Sequence, residues 1–149
     1  MNEKLQLMTL ETTMKTEKKR ILVVDDEAQN TRLLKLYLER TNDYVVREEN
    51  DGKAALSAAE EFKPDLIFLD VMMPGVDGGE VAARFKASAK FKSVPTVFLT
   101  AAVTKEEVKA GGGLVGGQPF LAKPVVLTEV LACLRHHLGG GADQEDEKP

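Results

Sequence analysis

Four short apolar runs in this chain end in residues able to do chemistry. RILVV at Arg20–Val24 is followed by Asp25 and Asp26, LIFL at Leu66–Leu69 by Asp70, Pro95–Leu99 by Thr100, and Phe120–Ala122 by Lys123. A carboxylate at the mouth of a buried strand is costly unless its charge is used. If the runs are parallel strands, these side chains meet at one sheet edge. Carboxylates about 4 Å apart repel by about 4 kcal/mol at an effective dielectric of about 20, so such a cluster requires a cation. Hard oxygen ligands in an open, hydrated arrangement suit Mg2+, which usually binds through one or two carboxylates plus phosphate oxygens. A divalent cation, a lysine and a strand-end hydroxyl around one aspartate are what an aspartyl phosphate needs: countercharge for the phosphoryl oxygens and a donor to grip one of them. Taken singly, each piece has a plainer explanation, as a helix cap, a strand terminus or a solvated lysine. Their placement at successive strand ends is what argues for a site.

The elements that must position these residues can be read from periodicity. After the first run, Leu33, Leu34, Tyr37 and Leu38 share one helical face. Tyr44–Arg47 reads as a strand, Asn50-Asp51-Gly52 as a turn, and Ala55, Leu56, Ala59 and Phe62 as the next apolar stripe. Leu66–Leu69, entered through Lys63-Pro64-Asp65, has the continuous apolar character of a strand buried on both faces. A helix follows the Pro74–Gly78 turn with Val81, Ala82 and Phe85 inward, and Pro95–Leu99 is the fourth strand. Thr104 caps a helix whose first turn holds Glu106 and Glu107, where the dipole favours acids. Phe120–Ala122 is a brief fifth strand, and Leu127, Val130, Leu131, Leu134 and Leu138 form the stripe of the last helix. Five β-α units with apolar strands imply an α/β, doubly wound parallel sheet with its site at the strands' carboxyl ends.

A chain of 149 residues fits one domain with a real core. Residues 1–19 read as a flexible N-terminal arm, 20–138 as the folded domain, and 139–149 as a disordered tail, Gly-rich and then acidic. Met8 and Met14 are plausible alternative starts. A net charge of −4 argues against nucleic acid as a partner, despite the basic cluster from Lys15 to Arg20. Cys133 is the sole cysteine, which excludes an internal disulfide and agrees with a reducing compartment. No apolar run approaches membrane-span length, so the expectation is a cytoplasmic protein with no membrane contact.

VVDDE at Val23–Glu27, DLIFLDVMMPGVDG at Asp65–Gly78, LTA at Leu99–Ala101 and FLAKP at Phe120–Pro124 together resemble the receiver domain of two-component response regulators. The resemblance spans about residues 20–138 and implies a five-stranded parallel sheet of order 2-1-3-4-5, flavodoxin-like or CheY-like. It further implies that Asp70 is the phosphoacceptor and that Asp26, Asp70 and the backbone carbonyl of Met72 hold Mg2+, with Asp25 helping directly or through water. Lys123 would pair with the phosphoryl group and Thr100 would hydrogen-bond it, while Phe120 stands at the family's switch aromatic. The Lys123-Pro124 bond is expected to be cis, as in the family. Implied partners are a sensor histidine kinase, a histidine phosphotransfer protein or both, and a downstream protein target. With little chain beyond Leu138, the expected form is a stand-alone receiver, monomeric or weakly dimeric, assisting only its own phosphorylation and dephosphorylation.

The sequence departs from the family at AGGGLVGGQ, Ala110–Gln118, where helix four normally ends and strand five begins. Glycine costs about 1 kcal/mol in a helix relative to alanine, so a short, frayed helix is expected, and the partner-facing surface it helps build is altered. Gly111, Gly113 and Gly116 match G-x-G-x-x-G, but after a helix and before a strand, the reverse of a dinucleotide site. Met72 and Ala102 occupy the two positions that tune phosphoryl hydrolysis in the family, and neither side chain can orient a water, so slow self-dephosphorylation is expected. His136 and His137 read as a solvated helix end, and Cys133 as a small residue on the helix flank. Two other functions compete. A haloacid-dehalogenase-type phosphatase needs an acid two residues after its nucleophile, where this chain has Met72. A phosphorylation-independent, receiver-like interaction module would be expected to lack a site residue, and none is missing.

Overall fold

A computed structural model describes residues 17–115 and 118–139. The expected arm and tail lie outside these apart from 17–19 and 139, and Lys19 already pairs with Tyr44. β1 (Lys19–Val24) lies between β2 (Tyr44–Glu49) and β3 (Leu66–Asp70), β3 pairs with β4 (Thr96–Thr100), and β4 with β5 (Gln118–Ala122), every pair parallel. This is the expected order 2-1-3-4-5. One addition stands at its edge: Leu114–Val115 folds back antiparallel on Gln118 and Pro119, a sixth, two-residue strand.

Because neighbouring strand residues point to opposite faces, the apolar runs feed two cores. On one face α2 (Ala55–Phe62) and α3 (Gly78–Ala87) bring Ala59, Phe62, Val81 and Phe85 onto Leu22, Val24, Ile67 and Leu69. On the other, α1 (Ala28–Arg40) and α5 (Leu127–Leu138) bring Leu34, Leu38, Val130 and Leu134 onto Ile21, Val23, Leu66 and Phe68. Each large apolar side chain so buried contributes about 1.5 to 3 kcal/mol. The expected inward stripe of α1 needs correction. Leu33 and Tyr37 remain 47% and 39% exposed, while Thr31 is buried with Leu34 and Leu38. The contact stripe runs at i, i+3 and i+7, and α1 carries more apolar residues than that narrow stripe can cover.

α4 (Lys105–Ala110) is six residues long and buries none of them, as its composition KEEVKA dictates. A capping box starts it: Glu107 N–H donates to Thr104 Oγ1 at 3.0 Å and Thr104 N–H to Glu107 Oε1 at 2.8 Å. Gly112 and Gly113 end it with φ of 66° and 90°, the left-handed turn that leads into the edge hairpin. Gly111 and Gly113 follow a helix and precede a strand, so no phosphate-cradling strand-to-helix turn exists there, and Gly116 lies outside the described residues.

Candidate functional site

Strand register assembles the site. Val24 is level with Leu69, so Asp25 stands beside Asp70 at the carboxyl edge. Asp70 is level with Leu99 and Thr100 with Ala122, which places Thr100 and then Lys123 at the same edge. Asp25, Asp26 and Asp70 each bring a carboxylate oxygen within 4.8 Å of the others. Among the described residues they form the one cluster of metal-ligating side chains.

Asp25 is wholly buried. It accepts from Glu27 N–H at 2.9 Å, from Asn30 Nδ2 at 3.4 Å and from Lys123 Nζ at 2.9 Å. Asp70, 3% exposed, accepts from Met72 N–H at 3.2 Å and lies 3.5 Å from Lys123 Nζ. Burial first and the charge of Asp25 second push its pKa up from 3.8 to about 6, against the pull of Lys123 and Met72 N–H. Burial alone lowers the Lys123 pKa, but the hydrogen bond and charge of Asp25, with those of Asp70, outweigh it and hold the ammonium above its usual range. Asp26 is exposed and has no hydrogen-bond or ion-pair partner among the described residues.

Thr100 is buried, and its Oγ1 accepts from Ala102 N–H at 3.0 Å. Its carbonyl accepts from Lys123 N–H at 2.9 Å, anchoring the lysine's backbone to β4 ahead of the cis Lys123-Pro124 bond. Met72 sits in a small antiparallel hairpin with Asp77, its side chain 68% exposed at the mouth of the site. Phe120 is half-buried and tilts against Phe98, their ring centroids 5.1 Å apart. The structure therefore brings Asp25, Asp26, Asp70, Thr100 and Lys123 together and leaves Phe120 one layer below. Three carboxylates facing one ammonium leave excess negative charge and only oxygen donors, a set that fits Mg2+.

The family model of the response regulator receiver domain matches residues 21–135. The chain belongs to this family. The receiver is 40% identical over 116 residues to the transcriptional regulatory protein ResD of Bacillus subtilis, covering 78% of this chain and 46% of ResD. It thus spans about half the length of that curated relative. A putative response regulator from Chloroflexus aurantiacus superposes with a TM-score of 0.69 at 29% identity, covering 83% of this chain and 99% of that one. The receiver domain of the sensor histidine kinase PA1611 from Pseudomonas aeruginosa, solved with magnesium in its active-site cleft, gives 0.68 at 26% identity, covering 83% and 99%. No helix among the described residues is long and apolar enough to cross a membrane.

Two residues of this receiver's site escaped the sequence reading. Gly78 opens α3 so close to the end of β3 that a Cβ there would stand 2.6 Å from the Asp70 carbonyl. Asn50, read only as a turn residue, donates from Nδ2 to the Asp25 carbonyl at 2.7 Å. A glycine directly after Asp77, the α3 cap, was the visible signal for the first; nothing local marked the second. Away from the site, burial pushes the Cys133 thiol up to about 12, and burial followed by the charge of His136 lowers the pKa of half-buried His137.

Proposed function

We propose that this chain is a phosphoacceptor of a two-component or phosphorelay system, in which Asp70 takes a phosphoryl group from a phosphorylated histidine. One observation carries this reading: a nearly buried Asp70 with two further carboxylates and one lysine converging on it. An Asp70 carboxylate oxygen attacks phosphorus, the phosphorus–nitrogen bond to the donor imidazole breaks, and the imidazole leaves and takes up a proton. Mg2+, held by Asp25, Asp26, Asp70 and the Met72 carbonyl, would supply countercharge to the phosphoryl oxygens during transfer. Lys123, already 3.5 Å from Asp70, pairs with one of those oxygens. Thr100 turns its hydroxyl from Ala102 N–H toward the new phosphoryl group, and Phe120 moves with it. The donor is a sensor histidine kinase or a histidine phosphotransfer protein, and the signal leaves through contact with a downstream protein.

Borohydride reduction tests this reading chemically. It converts an aspartyl phosphate to homoserine, so peptide mass analysis after incubation with a phosphodonor is expected to find homoserine at position 70. Homoserine at position 25 or 26 instead, or none while the protein carries phosphate, would contradict it.

A further inference from the structure

Asp26 must aim its carboxylate at Asp70 with no side-chain partner among the described residues to hold it. What the fold fixes is therefore the direction of its Cα–Cβ bond, which the backbone sets. The sheet ladder ends one residue earlier, where Asp25 N–H donates to the Glu49 carbonyl at 3.1 Å. From there the chain leaves the sheet, and α1 starts only at Ala28. The Asp25 carbonyl lies in this gap, and Asn50 Nδ2 donates to it at 2.7 Å. The same amide nitrogen gives its second hydrogen to Thr31 Oγ1 at 3.0 Å. Thr31 is fully buried in α1, and its single hydroxyl hydrogen has the Glu48 carboxylate at 2.8 Å as its nearer acceptor, ahead of the Ala28 carbonyl at 3.1 Å. One amide thus ties the Asp25 carbonyl to α1 and, through Thr31, to β2.

A peptide unit is planar, so holding the Asp25 carbonyl also fixes the nitrogen and Cα of Asp26. We propose that Asn50 is a positioning residue for the divalent-cation site, fixing the Asp25-Asp26 peptide plane so that Asp26 faces Asp70. This rests on the reading that the three acids hold Mg2+. Asn50 has no hydrogen bond to Asp70 or Lys123, so its loss acts through the Asp25-Asp26 peptide. Cation affinity falls, and the phosphorylation rate recovers once Mg2+ saturates the site.

The test is a magnetic resonance titration of the full chain with magnesium chloride, following the amides of Asp26 and Met72. The chain is compared with Asn50→Ala and with Ile21→Val, a mild core change in the middle of β1. Asn50→Ala is expected to weaken Mg2+ binding by about tenfold, as loss of an outer-shell partner does, while Ile21→Val leaves it unchanged. Acetyl phosphate labelling of Asn50→Ala is expected to reach the unaltered rate at saturating Mg2+. Binding by Asn50→Ala within about twofold of the unaltered chain, or equal weakening in Ile21→Val, would overturn the role of Asn50. If the unaltered chain itself takes up no Mg2+, the proposed function fails first and this inference with it.

Discussion

Lys123 gives its shorter ion pair to Asp25, at 2.9 Å, and stands 3.5 Å from Asp70. The lysine thus neutralises the deepest acid and leaves Asp70 only partly compensated. Removing one partner of a buried pair leaves an unmatched charge, so Lys123→Gln is expected to destabilise the metal-free protein by about 3 kcal/mol at pH 8. The loss is smaller at pH 5, where Asp70 is largely protonated. Urea unfolding in chelator at the two pH values measures both.

The pH dependence of Asp70 has a definite sign. Its folded pKa of about 6 lies above the ordinary 3.8, so its contribution to stability is full below about pH 4 and lost as pH rises through about 6. The difference corresponds to about 3 kcal/mol. Asp70→Asn is therefore expected to be more stable than the unaltered chain by about 1 to 3 kcal/mol at pH 7.5 without metal, and to lose that advantage at pH 4. Adding Mg2+ at pH 7.5 narrows the gap, because it stabilises only the carboxylate form.

Adjacent glycines at the start of α3 are expected to respond oppositely. A Cβ at Gly78 would meet the Asp70 carbonyl at 2.6 Å and the Val71 Cα at 2.7 Å, both backbone atoms that cannot step aside. Gly78→Ala should cost about 2 kcal/mol and weaken Mg2+ binding by displacing Asp70. At Gly79 the nearest atom is Asp77 Oδ1 at 3.2 Å, so Gly79→Ala should be neutral or gain helix propensity. Thermal unfolding of the two variants separates them.

Hydrolysis of the phosphorylated form should be slow. The side chains at the mouth, Met72 and Ala102, are exposed and offer no group to orient a water. The phosphoryl group is expected to persist well beyond seconds, and Ala102→Glu to shorten its lifetime by about tenfold or more. Loss of adduct from the intact protein, followed by mass, checks both.

Most of the site was legible because parallel strand order carries successive strand ends to one sheet edge. Once the runs ending in Asp25, Asp70, Thr100 and Lys123 read as strands, their meeting followed from topology. What escaped depends on contacts distant in sequence. Asn50 sits in an Asn-Asp-Gly turn like many others, and its bond to Asp25 spans 25 positions and exists only through the pairing of β1 with β2. Leu33 and Tyr37 have the right helical spacing, yet the sheet reaches only the stripe of Thr31, Leu34 and Leu38. The glycine segment announced a broken helix but not its outcome, since the edge strand Leu114–Val115 depends on positive φ at Gly112 and Gly113.

The most direct test of the central claim is the intact mass of the protein after incubation with acetyl phosphate, with and without Mg2+, alongside Asp70→Asn. The account requires a single phosphoryl adduct that appears only with Mg2+ and is absent from Asp70→Asn. An adduct that persists in Asp70→Asn, or that forms equally well in chelator, would contradict it.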